Sequence, residues 1–436
     1  MTRQSTFKSK IRARMRKTGE RYAAARLALL SQREPTSAPI PIPPLPGYQF
    51  APGVEPDLGL LTAALAQAGV IDPMTGAPFT EARLFGLSGG IGFMYFLFEY
   101  QGHPPMMTFT CRSWSMPEPV ITRALTHAGI EAARSETSSA KVASAFVDDA
   151  LAEGRVIHLT ADAASLPSAG VPELWIGQLP RQLNVVGVQG DDVLVDFNAP
   201  IVLSRALLAR ARAACRKEKH RAWTFPKGQA KAAPVAATRA AVRATARSFV
   251  EAPYKGFAGN FGLAGLEKAA RLCADPKDKK GWARVFHSGP LAYRALYRTW
   301  ECATLELTPP AGGRSFYAQF LRDAAARCDL PALAEAAALA EQSGERFAAL
   351  AEDAIELGGP PVAEAITTAH EIEELQRSGD PEAGPKVRAL RDRRDKLAEQ
   401  CTLDQPARRA AFTRIGEHFA AIHKLEVELQ RRLAEA

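Results

Sequence analysis

Cys111 is the first thiol in the chain, and the adjacent Arg112 is a cation of the kind that lowers a thiol pKa and makes a nucleophile. Its setting, Thr108-Phe109-Thr110-Cys111-Arg112-Ser113-Trp114, reads as strand or loop, and a lone cysteine between aromatics is more often buried and inert. His158, in Val156-Ile157-His158-Leu159, could move a proton, with Asp162 four residues on; a strand histidine satisfied within a core is the plainer account. Asp57 is first of all an N-cap and Asp196 first of all a hairpin residue. Arg314 follows two glycines at a helix start, where it could bind an anion or pair with a structural acid. Glu301 beside Trp300 reads as a buried carboxylate or as half of a helical salt bridge. His370, His418 and His423 invite a metal reading, but His418 and His423 are five apart, off the four-residue spacing that shares a helix face. No metal or other cofactor is expected.

A glycine-rich stretch, Phe85-Gly86-Leu87-Ser88-Gly89-Gly90-Ile91-Gly92-Phe93, looks at first like a phosphate cradle. It lacks the Lys-Ser or Lys-Thr of a P-loop and the incoming strand of a dinucleotide fingerprint. Four glycines between large apolar side chains fit a tight turn packed inside a core.

The elements that must position these residues come from a chain of 436 residues, 47% apolar, long enough for two or three domains. No apolar run reaches the ~20 residues of a membrane helix, and no membrane span is expected. The amino terminus does not read as a secretory signal, since its apolar patch Tyr22–Leu30 is cut by Arg26. Six dispersed cysteines without a Cys-x-x-Cys fit neither a disulfide framework nor a zinc site, so a reducing cytoplasm is the expected location. The net charge of +8 sits wholly in residues 1–34, which hold ten Lys/Arg and two Glu; 45 basic and 45 acidic residues make up the rest.

Residues 1–34 read as a basic helical tail, with Phe7, Ile11 and Met15 four apart on one stripe. Such a tail is a solvated docking arm, a ligand for an anionic partner (nucleic acid or lipid headgroups), or an Arg-rich targeting peptide. Residues 35–50, with six prolines, form an extended linker. Residues 51–225 read as mixed α/β, with helices over Leu58–Ala68, Ile121–Ala128, Ser138–Glu153 and Leu203–Ala214. They also hold a strand at Val156–Leu159 and a hairpin turning at Gly190-Asp191. Residues 226–244, rich in Ala, Lys and Arg, read as a linker or a poorly packed helix. From 245 to 436 the pattern is helical throughout, ending in long charged helices over Val387–Cys401 and Ala407–Leu433 whose surface is of a kind that supports a homodimer.

Several phrases occur in a telling order: Thr80-Glu81 before the glycine stretch, Thr137-Ser138-Ser139-Ala140-Lys141, Val186-Gly187-Val188 with Val195-Asp196, and Leu207-Leu208-Ala209-Arg210. Together they resemble the amino-terminal domain of the butirosin-biosynthesis protein H family over some 170 residues. Asn260-Phe261-Gly262, Gly281-Trp282, Trp300-Glu301 and Gly313-Arg314-Ser315-Phe316-Tyr317 resemble the uncharacterised all-helical domain that commonly follows it. The resemblance implies an α/β (α+β) papain-like domain with a hairpin-containing sheet, similar to leader peptidases, then an all-α domain. It also implies an acyltransferase moving an aminoacyl group from a carrier-protein thioester to an amine. A cysteine nucleophile at the start of the first helix, a histidine base on the first hairpin strand and an acid on the second would do this chemistry.

The chain departs from that pattern. Where the family places His-Cys, about fourteen residues before Gly69-Val70, stand Glu55 and Pro56, and no cysteine precedes Cys111. The base is expected six residues before Gly187, which is Arg181. Asp196 matches the third member. Cys111 and His158 are the remaining candidates for a rewired site, and Arg181, Glu81 and Arg314 are candidate binding residues. Three functions stay open: a non-catalytic relative binding a peptide, an acyl-carrier protein, a small molecule or a sibling subunit; an acyltransferase with a rewired site; and a nucleic-acid or anionic-surface binder working through its basic tail, whose binding high salt would abolish.

Overall fold

The computed structural model describes residues 42–50, 53–112, 117–228, 230–305, 309–378, 380 and 382–436. The expectations for the basic tail, the first part of the proline-rich linker and Trp114 lie outside the described residues.

Helix α1 (Pro56–Gln67) starts on Pro56 with Glu55 as its N-cap, the Glu55 carboxylate accepting from the Leu58 amide at 2.7 Å. The expected cap, Asp57, lies inside the first turn instead. Short strands β1 (Ile71–Asp72) and β2 (Ala77–Pro78) lead to α2 (Glu81–Leu87), capped by Thr80. The glycine-rich stretch is the end of α2 and the turn after it, with Gly89 and Gly90 in the left-handed region. A two-stranded hairpin, β3 (Met94–Phe98) and β4 (Met106–Thr110), follows. After α3 (Pro117–Ala128) come β5 (Ala133–Ser135), α4 (Ala140–Ala152, capped by Ser139) and β6 (Ile157–Asp162). The hairpin β7 (Pro180–Gln189) and β8 (Asp192–Asp196) then turns at Gly190; β9 (Pro200–Ser204), α5 (Arg205–Ala214) and β10 (Ala222–Thr224) close the region. The first residues expected as helix at Leu203 are the end of β9, and Ser204 caps α5.

One antiparallel sheet organises this part, in the order β5-β10-β6-β7-β8-β9. Side chains alternate across a strand, so its two faces differ. Ile157, Leu159, Leu183, Val185, Val193 and Val195 face a core shared with α4 and α5. The opposite face carries His158, Thr160, Asp162, Gln182, Asn184 and Asp196, all buried. Helix α1 crosses that polar face.

The rest is helical: α6 (Pro234–Ser248), α7 (Gly262–Ala274), α8 (Trp282–Val285), α9 (Gly289–Thr304), α10 (Arg314–Arg327), α11 (Ala332–Arg377), α12 (Ala383–Lys396) and α13 (Gln405–Glu435). Helix α11 kinks at Gly359, just before Pro360 and Pro361, which remove backbone donors. Much of the stretch read as a linker is α6, with Ala237, Thr238, Ala241, Val242 and Thr245 buried. Small side chains allow this close approach but leave little hydrophobic periodicity to read. The architecture is α+β followed by all-α.

Candidate functional site

The polar sheet face and the first turn of α1 form one buried network. Asn184 on β7 stands in register with His158 on β6 and with Asp196 on β8. Its Nδ2 donates to Tyr48 Oη at 2.9 Å and to the Leu60 carbonyl at 2.7 Å, leaving Oδ1 to accept from His158 Nδ1 at 2.8 Å. Tyr48 in turn donates to Asp196 Oδ2 at 2.6 Å. The proton on His158 is therefore on Nδ1. Its Nε2 is a buried lone pair with no hydrogen-bond partner among the described residues, and the Trp223 ring lies 5.8 Å away.

Burial shifts these groups. The imidazole of His158, wholly enclosed, is lowered to about 4 by desolvation, against the raising effects of Asn184 and the Asp57 charge. Asp196 is raised to about 6 by burial although Tyr48 donates to it, and the Tyr48 hydroxyl is raised by its own burial and by Asp196.

Carboxylates crowd the helix start. Arg112 Nη1 donates to Glu55 Oε1 at 2.7 Å and lies 3.4 Å from Asp57 Oδ2, all three side chains being buried. Glu81, first residue of α2, accepts from the amides of Val54 and Glu55 and so fixes the chain entering α1. Burial and the Asp57 charge push Glu55 up to about 8 despite Arg112, and burial pushes Glu81 up to about 7.

The three candidates for a rewired site do not converge. His158 and Asp196 are bridged by Asn184 and Tyr48. Cys111 lies at the end of β4 with its side chain turned into the helical core; a Cβ on Gly312 would lie 3.1 Å from its Sγ. Burial pushes the Cys111 thiol up to about 12, against the lowering effect of Arg314. A thiol so protonated is a poor nucleophile. Its neighbour Arg112 points the other way, to Glu55 and Asp57.

Pro56 is the first residue of α1 and presents no nucleophile. Arg181 does not stand beside Asp196: it pairs with Ala161 three residues toward the start of β7, half-buried, and donates to the Pro180 carbonyl. The strand position next to Asp196 belongs to Asn184, a difference of three residues from the motif count. Arg314 is fully buried, bonded to Glu426 at 2.7 Å and to the carbonyls of Gly92, Cys111 and Gly312. Glu301 pairs with Arg298 and accepts from Tyr297 Oη at 2.9 Å. His418 Nε2 meets Asp353 at 2.7 Å, and His370 lies by Glu373. No group of three His, Cys, Asp or Glu residues that could hold a metal occurs among the described residues, and no helix among them is long and apolar enough to cross a membrane.

Tyr48, Asn184 and the Glu55–Arg112–Asp57 cluster escaped the sequence reading. One signal was present: His158-x-Thr160-x-Asp162 and Gln182-x-Asn184 place polar residues at every second position of otherwise apolar strands, the signature of a polar face. As assembled, the network can hold protons and orient a hydroxyl, but it brings no sulfur or free hydroxyl nucleophile to His158 among the described residues.

No curated protein matches the chain. Residues 59–171 match the family model described as Butirosin biosynthesis protein H, N-terminal. The match begins within α1 and includes the glycine-rich turn, Arg112 and His158, and it ends before β7 and β8, which bear Asn184 and Asp196. The segment from α1 to the turns beyond β6 is an N-terminal domain of the butirosin biosynthesis protein H family.

Proposed function

We propose that this chain is a non-catalytic relative that keeps a papain-like scaffold for binding, with a peptide or a carrier protein as its partner. One observation carries this reading. Where the family resemblance implies a cysteine and a histidine, the chain has Glu55-Pro56 at the helix start and Arg181 on the first hairpin strand, and the residue beside Asp196 is an amide, Asn184. An amide cannot act as a general base, and both ends of this one are already bonded. Glu55 and Asp57 at the helix start are already engaged by Arg112 and supply neither a thiol nor an imidazole in place of the missing groups.

Incubating the intact protein with an acylated carrier-protein thioester, followed by time-resolved mass spectrometry, tests this. The expected result is no covalent adduct and no acyl release beyond the protein-free rate. An acyl group found on Cys111 would overturn the non-catalytic reading.

A further inference from the structure

The segment before α1 is not a free linker at its C-terminal end. The Leu45 amide donates to the Val186 carbonyl at 2.6 Å, where β7 is bulged between Val185 and Gly187. Gly187 leaves room for the segment: a Cβ there would lie 2.7 Å from the Pro43 carbonyl oxygen. From Leu45 the chain turns on Pro46-Gly47, with Gly47 at φ 79° and the Tyr48 amide returning to the Leu45 carbonyl at 3.0 Å. Proline then glycine with positive φ is the signature of a type II turn. The turn drives the Tyr48 side chain into the sheet, where its hydroxyl lies between Asn184 and Asp196. Ile42 and Tyr48 are 3% and 5% exposed, values of core residues rather than of a spacer.

Every element of peptide recognition is here: a backbone carbonyl read by an amide, a glycine that admits the passing chain, and a buried polar pair that reads one hydroxyl. We propose that the face of β7 and β8 around Asn184, Gly187 and Asp196 is a recognition site for an extended, proline-bearing peptide whose Pro-Gly turn delivers a tyrosine. Residues 42–50 of the chain itself occupy it. The site rests on the peptide-binding reading above and gives it a ligand class. Specificity comes from the hydroxyl: a phenylalanine in that place takes one hydrogen-bond partner from the Asn184 amide and one from the Asp196 carboxylate in a closed site, which costs about tenfold to a hundredfold in affinity. The tethered segment acts at millimolar effective concentration, so a free peptide competes only once the tether is weakened.

The test uses the full chain and a fluorescent peptide of residues 42–50. Native protein should show no anisotropy change, whereas Tyr48→Ala protein should bind the peptide saturably, with a version carrying phenylalanine in place of Tyr48 at least tenfold weaker. Hydrogen exchange at the Leu45 amide gives a second readout. Tyr48→Phe, which keeps the ring and its edge contact with Phe50, should speed that exchange about tenfold or more even if Tyr48→Ala fails to fold. A folded Tyr48→Ala chain that ignores the peptide, equal binding of the two peptides, or unchanged Leu45 protection in Tyr48→Phe would each overturn the proposal. Such a failure without an acyl adduct removes only this site, whereas an adduct on Cys111 removes the non-catalytic reading and leaves the peptide result to stand on its own.

Discussion

His158 shows how one side chain is set by its surroundings. Its Nδ1 proton is fixed by Asn184, and its folded pKa of about 4 lies below the ordinary 6.5 because burial opposes the charged form. A depressed pKa contributes stability that is present above the unfolded value and is lost as the pH falls through 6.5 toward 4. The buried carboxylates run the other way. Asp196, Glu55 and Glu81, raised to about 6, 8 and 7, favour the folded state while protonated and lose that contribution as the pH rises through those values. The acid limb is therefore best isolated by difference. His158→Asn keeps an amide donor toward Asn184 but cannot titrate, so the stability gap between native and variant should shrink by about 1.4 kcal/mol per pH unit from 6.5 down to about 4. Urea unfolding at a series of pH values measures it. A gap independent of pH would mean that the imidazole does not titrate in the folded state as its burial dictates.

The glycine-rich turn is the element on which both parts of the molecule close. A Cβ on Gly86 would lie 2.0 Å from Phe320 Cγ, and one on Gly90 would lie 2.5 Å from the Tyr317 ring, both on α10. The Thr245 hydroxyl of α6 donates to the Gly89 carbonyl at 2.8 Å, and Arg314 reaches the Gly92 carbonyl at 2.7 Å. These glycines are thus a docking seat for helices, which is what four glycines among large apolar residues lead one to expect. Because no flexible tip is in the way, Gly86→Ala should cost about 1–3 kcal/mol through overpacking, measured by chemical denaturation. Gly256→Ala, with nothing within 4 Å of the added carbon, serves as control. Equal stability of the two variants would show that α10 can retreat from the turn without loss.

At the scale of the whole molecule, the α+β part and the helical part share their interior. A single apolar cluster joins Leu58, Leu61 and Ile121 to Tyr317, Phe320, Leu333, Leu429 and Leu433. Arg314 and Glu426 lock the same junction with a fully buried pair, to which Ser343 donates at 2.8 Å. Two halves that bury one another's apolar surface do not unfold separately. Calorimetry of the full chain should show one transition, and residues 51–225 expressed alone should lack native-like near-ultraviolet dichroism. Two resolved transitions, or a folded fragment, would contradict the shared core.

Composition and local pattern determined much of this protein before any fold was known. The helix expected over Leu58–Ala68, the hairpin around Gly190 and the helical second part all depend on interactions within a few residues, and these are written in the order of the side chains. The family phrases likewise placed the chain near the butirosin-biosynthesis protein H type. Tertiary structure alone decided which residues meet. Counting along the motif named Arg181, but strand register sets Asn184 and not Arg181 beside Asp196, because register depends on a bulge and on hydrogen bonds between strands. Tyr48, 136 residues before Asn184, carries no local signal at all. Only the fold turns a proline-rich approach into the cover of a buried polar site, because desolvation and pairing are properties of what surrounds a residue, not of its neighbours in sequence.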